Sequence, residues 1–174
     1  MTTARIDFTN LCLRDALDLA VLIEEEAKDR YEEIAAQMEI HHTPEAAAFF
    51  RLMVGNEAKH GEQLAARRAA LFRDEPRTVT RAMLWDVEAP DYDEVRASMT
   101  QRQALEVALR AEEKAHAFFL AALPHVHDAD VKTLFEELRD EEVQHRRLVE
   151  AELAKLPPEP PGDASDYEDE PVAQ

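Results

Sequence analysis

The sequence predicts an all-α protein of four long helices in two antiparallel pairs, and three observations carry that prediction. Its 174 residues include only three glycines and are rich in Ala, Glu, Leu and Arg, residues that lose little on entering a helix. Apolar positions recur at three- and four-residue steps over several long stretches. The breaks between these stretches run short, long, short, the spacing of two helical hairpins joined by a crossover. With 45% hydrophobic and 33% charged residues, a chain of this length buries one sizeable core.

Residues 1–9 read as a short arm, with Thr9 or Asn10 as N-cap of the first helix. That helix continues to about residue 40 along the stripe Leu13, Leu17, Ala20, Ile23, Ala27, Tyr31 and Ile34. It stops at Ile40-His41-His42-Thr43-Pro44, where Thr43 is placed to cap the second helix and Pro44 suits its first position, which needs no N–H. The second helix spans about 44–72, with Phe50, Val54, Ala58, Leu64 and Leu71 as inward candidates. From Arg73 to Met99 the periodicity lapses around Pro76, Trp85 and Pro90. This segment is the crossover, with at most a turn of helix near 78–86.

Thr100 and Gln103 form a capping box for the third helix, which Pro124 stops after Leu123. Asp128 caps the fourth, which runs to about Leu156 and ends at Pro157-Pro158. Residues 1–156 are thus expected to form the helical domain. Residues 157–174, with five prolines, six acidic residues and no Lys or Arg, are expected to be a disordered acidic tail.

A formal net charge of −18 argues against nucleic acid as a partner, because phosphate binding needs clustered Lys and Arg. The same charge is compatible with attracting cations. One cysteine, Cys12, builds neither a disulfide framework nor a Cys-only metal centre. There is no basic, apolar leader and no run long enough to span a membrane. A cytoplasmic protein is expected.

The fold repeats itself. Glu57-Ala58-Lys59-His60 reappears as Glu142-Val143-Gln144-His145, 85 residues on, and at the same offset Phe50 answers Phe135 and His42 answers His127. Two other Glu-x-x-His strings, at Glu39/His42 and Glu113/His116, have no such twin. The first and third helices match at an offset of 88, placing Ala20 on Ala108, Glu24 on Glu112, Glu25 on Glu113, Ala27 on Ala115 and Tyr31 on Phe119. One helical hairpin is therefore used twice about a pseudo-twofold axis.

That axis brings Glu24, Glu57, His60, Glu112, Glu142 and His145 to the bundle centre. Residues three apart share a helix face, so each Glu-x-x-His pair reaches one ion. Four buried carboxylates require compensating cations, and two divalent ions neutralise them. Carboxylate with imidazole and no thiolate suits iron or manganese. In helical bundles, one Glu from each of two helices and a Glu-x-x-His from each of the others make a dinuclear site. Glu24 and His60 are assigned to one ion and Glu112 and His145 to the other, with Glu57 and Glu142 bridging and each terminal ligand free to exchange ions in this assignment. Tyr31, two turns beyond Glu24 on the same face, is placed to hydrogen-bond a ligand carboxylate or supply an electron, while Phe119 shows that its position also accepts plain core. His116 falls opposite Lys28 in the duplicated frame, which favours an outward side chain, and His41, His42, His125 and His127 belong to the interhelical loops.

These six positions resemble the diiron ligand pattern of the rubrerythrin and bacterioferritin branch of the ferritin-like superfamily, over roughly residues 10–156. The resemblance implies a ferritin-like four-helix bundle, a dinuclear iron centre in which Mn or Zn is an alternative, and a homodimer. Ala115 stands where rubrerythrins typically have a further carboxylate, Ala58 where bacterioferritins have a haem-ligating Met, and a lone cysteine cannot build a rubredoxin centre. The expectation is a rubrerythrin-like (erythrin) protein without haem or a rubredoxin domain. It would react with hydrogen peroxide or dioxygen and be re-reduced by an external electron donor. The alternatives are a ferroxidase that takes Fe(II) as substrate and a non-catalytic helical module with structural metals.

Overall fold

The computed structural model describes residues 6–40, 43–83, 87 and 99–158. Its helices are α1 (Leu13–Ile40), α2 (Pro44–Phe72), α3 (Gln101–Ala122) and α4 (Ala129–Leu153), with short 3₁₀ turns at Arg81–Met83 and Leu123–His125. Packing is closest within the α1/α2 and α3/α4 pairs, so the expected all-α bundle of two hairpins is the observed one. None of the described helices is long and apolar enough to cross a membrane. His41, His42, Trp85 and the acidic tail beyond residue 158 lie outside the described residues.

Several ends follow their sequence signals. Thr100 Oγ1 accepts from Gln103 N–H at 3.2 Å while Gln103 Oε1 accepts from Thr100 N–H at 2.9 Å, completing the capping box. Asp128 accepts from the N–H groups of Asp130 and Val131 at 2.8 and 3.1 Å. Two caps differ from expectation. Asp7 takes the Thr9 N–H and the Asn10 side-chain amide into a local turn, so neither caps α1, whose hydrogen bonding begins with Ala16 N–H donating to Cys12 O. Thr43 makes no side-chain bond to the start of α2. Its hydroxyl and its N–H both donate to Met38 O, closing the end of α1 instead.

Leu71 is a further departure, being 54% exposed. The seven-residue step from Phe50 through Glu57 and Leu64 drifts about 20° per repeat on a straight helix. By the last turns of α2 the buried side chain is Arg68, and Phe72 rather than Leu71 packs on the core.

Two apolar clusters fill the bundle. One holds Leu17, Leu19, Leu64, Phe119, Leu134 and Phe135; the other holds Tyr31, Ile34, Met38, Phe50, Leu105 and Val149. Phe135 and Phe119 of the first are the repeat equivalents of Phe50 and Tyr31 of the second. The clusters thus stand as images of one another, with the polar residues of mid-bundle between them.

Candidate metal centre

Each helix delivers one carboxylate to that middle layer. Glu24 of α1, Glu57 of α2, Glu112 of α3 and Glu142 of α4 are 0–4% exposed, and His145 is 6% exposed. His60 is half-buried. The 3.6-residue period accounts for the convergence: each Glu replaces one apolar residue in a core stripe, as Glu24 does between Ala20 and Ala27.

Contacts across the layer join all four helices. His145 Nδ1 lies 3.1 Å from Glu112 Oε2 and 3.7 Å from Glu142 Oε2. The His60 and His145 rings are parallel within 4°, with centroids 4.8 Å apart. Tyr31, fully buried, donates its hydroxyl to Glu112 Oε1 at 3.0 Å, while its ring stacks on Phe50 at 5.8 Å. Of the two roles expected for Tyr31, the structure displays the hydrogen bond to a site carboxylate, and Phe119 is plain core.

Among the described residues, two groups offer donor atoms within 4.8 Å of one another: Glu57, His60 and His145, and Glu112, Glu142 and His145. His145 belongs to both. Glu24 belongs to neither, although it borders Glu57 closely enough for the two charges to repel. Of the other described histidines, His125 and His127 are exposed, and His116 is half-buried on α3 outside both groups.

The electrostatics are those of buried carboxylates and imidazoles crowded together. Burial, followed by the charge of Glu57, pushes the Glu24 carboxyl well above its usual range. Burial is also the main reason that Glu142 rises to about 8. Burial opposes the imidazolium of His145, but the hydrogen bond to Glu112 and the nearby Glu142 carboxylate outweigh it and raise the group to about 11. His60 moves the other way, lowered by burial and by the neighbouring His145 charge. Protons thus hold the charge that cations would otherwise neutralise. Three buried atoms, Glu24 Oε2, Glu142 Oε2 and His60 Nδ1, have no hydrogen-bond partner. Such atoms are costly to bury unless something binds them, and carboxylate with imidazole is a donor set that divalent iron or manganese accepts. The residues present therefore fit a metal pair.

The buried ion pair of Asp18 and Arg68 escaped sequence reasoning. Arg68 donates to Asp18 at 2.9 Å and to the carbonyls of Arg73 and Glu75 at 2.8 and 2.6 Å. It ties the end of α2, where Arg73 adopts φ 50°, to α1. Neither residue carried a signal in the sequence, since each alone reads as a solvated charge on a helix rich in them.

Comparison with known proteins agrees with this architecture. The family model described as Rubrerythrin matches residues 15–153. The crystal structure of an uncharacterized conserved protein from Magnetospirillum magnetotacticum is similar over 86% of this chain and 99% of that one, with 28% sequence identity and a TM-score of 0.66. No curated protein matches.

Proposed function

The chain belongs to the rubrerythrin family, and from that premise we propose that it is a non-haem dinuclear iron protein that reacts with hydrogen peroxide or dioxygen and draws electrons from an external donor. The observation that carries the proposal is the mid-bundle layer of four buried carboxylates and two imidazoles, with three buried atoms left without hydrogen-bond partners. Glu24 and His60 would hold one ion, Glu112 and His145 the other, with Glu57 and Glu142 shared between them. When bound, the pair supplies two one-electron reductants side by side, matching the two electrons that reduction of peroxide requires.

The chain's own residues do the rest. Tyr31 fixes Glu112 by hydrogen bond and keeps a proton on its own oxygen at that carboxylate. Glu142 and His145 hold protons in the metal-free site and release them as cations arrive, so uptake acidifies the medium. The two apolar clusters shut water out along the bundle axis on both sides of the layer.

Loading with Fe(II) under anaerobic conditions, followed by rapid mixing with peroxide or with dioxygen, tests the proposal. Oxidation of the bound iron in the wild type and its loss in Glu57→Ala are expected. If neither oxidant changes the iron spectrum, the proposal fails. A second reading, iron handling with Fe(II) as substrate, is favoured by Ala115, which is fully buried and offers no further carboxylate to the centre. Retention of more than two irons per chain after repeated Fe(II) additions supports that reading; a fixed ratio of two counts against it.

A further inference from the structure

The duplicated frame is broken where the metal layer meets solvent. Between α1 and α2 a cavity of about 250 Å³ is lined by Glu24, Glu57, Ala58, Gly61, Glu62 and Ala65, among others. Gly61 adds no side chain to its wall; a Cβ built there would rest in ordinary contact with Glu24 Cβ at 3.4 Å, and a larger side chain would extend over the cavity. Glu24, which lines this cavity, is itself only 4% exposed, and its buried Oε2 has no hydrogen-bond partner. On the other side of the pseudo-twofold axis the residue equivalent to Gly61 is Arg146. Its guanidinium spans the α3/α4 seam, 3.9 Å from Glu113 and 3.8 Å from Glu150. Glu113 is the equivalent of Glu25, and Glu150 of Ala65.

We infer that the α1/α2 seam at Gly61 is the route by which divalent cations reach the metal layer, and that Arg146 closes the equivalent seam between α3 and α4. The inference rests on the dinuclear reading above and adds direction to it. Charge favours the same side: Glu62 lies at the open seam, whereas its equivalent at the closed one is Arg147. Carboxylates outnumber cations in the wall of the α1/α2 cavity, whereas at α3/α4 Arg146 and Arg147 offset Glu113 and Glu150, so a cation is drawn preferentially towards α1/α2. Lys28, also in the wall of the open cavity, turns to Glu32 at 3.3 Å. A smaller cavity of about 130 Å³ between α2 and α4 reaches only His60 of the six candidate ligands, and the ion pair of Arg67 with Glu137 at 2.6 Å joins two residues of its wall.

The test uses the metal-free full chain, with Co(II) as probe. Uptake is followed by stopped-flow absorbance, release by competition with a chelator, and affinity by equilibrium titration. Gly61→Leu is expected to slow uptake and release together by roughly tenfold or more, as for binding that must wait on a rearrangement, with affinity and the ratio of two Co(II) per chain unchanged. Adding Arg146→Ala to that variant is expected to restore the rate by opening the second seam. Where Gly61→Leu does not fold, Ala65→Leu obstructs the same seam one turn along and is expected to slow uptake likewise. Unchanged uptake in the obstructed variant overturns the inference and points to the cavity beside His60. Weakened affinity with faster release also overturns it, because Gly61 then only positions Glu24. Failure of Arg146→Ala to restore the rate overturns the assignment of the closed seam. A wild type that binds no Co(II) overturns the dinuclear reading itself, and the inference with it.

Discussion

In the first half of the molecule Tyr31 crosses to the second and donates to Glu112; its equivalent Phe119 has no hydroxyl to return the bond to Glu24, whose Oε2 has no hydrogen-bond partner. The two halves present the same Glu and Glu-x-x-His skeleton and surround it differently. Arg68 closes the end of α2 from within, through its buried pair with Asp18 and its bonds to Arg73 and Glu75. At the matching end of α4 the residue equivalent to Arg68 is Leu153, and closure comes from Arg102 of α3, whose guanidinium donates to the carbonyls of Leu153, Leu156 and Pro157. Duplication keeps what must meet at the centre, and the two copies diverge where each meets solvent or its own loop.

The largest effect expected from breaking that comparison is at the two helix ends. Asp18→Ala leaves Arg68 without its buried counter-charge and is expected to cost about 3–5 kcal/mol in urea unfolding. Arg102→Ala removes neutral carbonyl contacts near solvent and is expected to cost about 1–2 kcal/mol. Equal losses would show that the two ends are closed with equal strength.

Metal removal sharpens the picture through pH. In the metal-free protein, Glu142 is raised to about 8 and His145 to about 11. Both folded-state values lie above the ordinary ones of 4.5 and 6.5, so the stability these groups contribute is present at low pH. It is lost as pH climbs, through Glu142 between about 4.5 and 8 and through His145 above 6.5. The lowered His60 opposes this near its ordinary value, 6.5. The metal-free protein is therefore expected to melt at lower temperature as pH rises from 5 to 8. Saturating metal is expected to reverse the slope, because cations then compete with protons, and to raise Tm at pH 7.5 by about 10 °C. A metal-free Tm that rises with pH would contradict the account.

Tyr31→Phe makes the halves alike at that position. Loss of the bond to Glu112 is expected to cost about 1–2 kcal/mol, visible in urea unfolding of the metal-free protein. The smallest effect belongs to Leu71→Ser, expected to stay within about 0.5 kcal/mol because the side chain is already in solvent.

Much of this was legible in the residues, for physical reasons that also mark where legibility stopped. The helices declare themselves through apolar stripes, and the caps at Thr100 and Asp128 work because their bonds are local. Thr43 misled because its backbone, at φ −111° and ψ 69°, departs from the extended conformation of the working caps. Its hydroxyl oxygen therefore accepts no N–H of α2, while its proton goes to Met38 O at the end of α1. The six candidate ligands could be read because they recur in register, and a register needs no coordinates. Asp18 and Arg68 could not, since either alone reads as a solvated charge and only the fold makes them partners. The unequal seams depend on Gly61 and Arg146, visible in the alignment of the repeats but meaningless until the structure turns one towards a cavity and the other across a helix seam.

The central claim is that the two copies of the frame form one dinuclear site. Anaerobic titration of the metal-free protein with Fe(II), run on the wild type and on Glu57→Ala and Glu142→Ala, tests it most directly. The account predicts saturation at two irons per chain in the wild type and loss of tight binding at both positions in either variant, because each shared carboxylate serves both ions. A wild type that saturates at one iron or none, or a variant in which one copy of the frame still binds its ion as tightly as before, would contradict it.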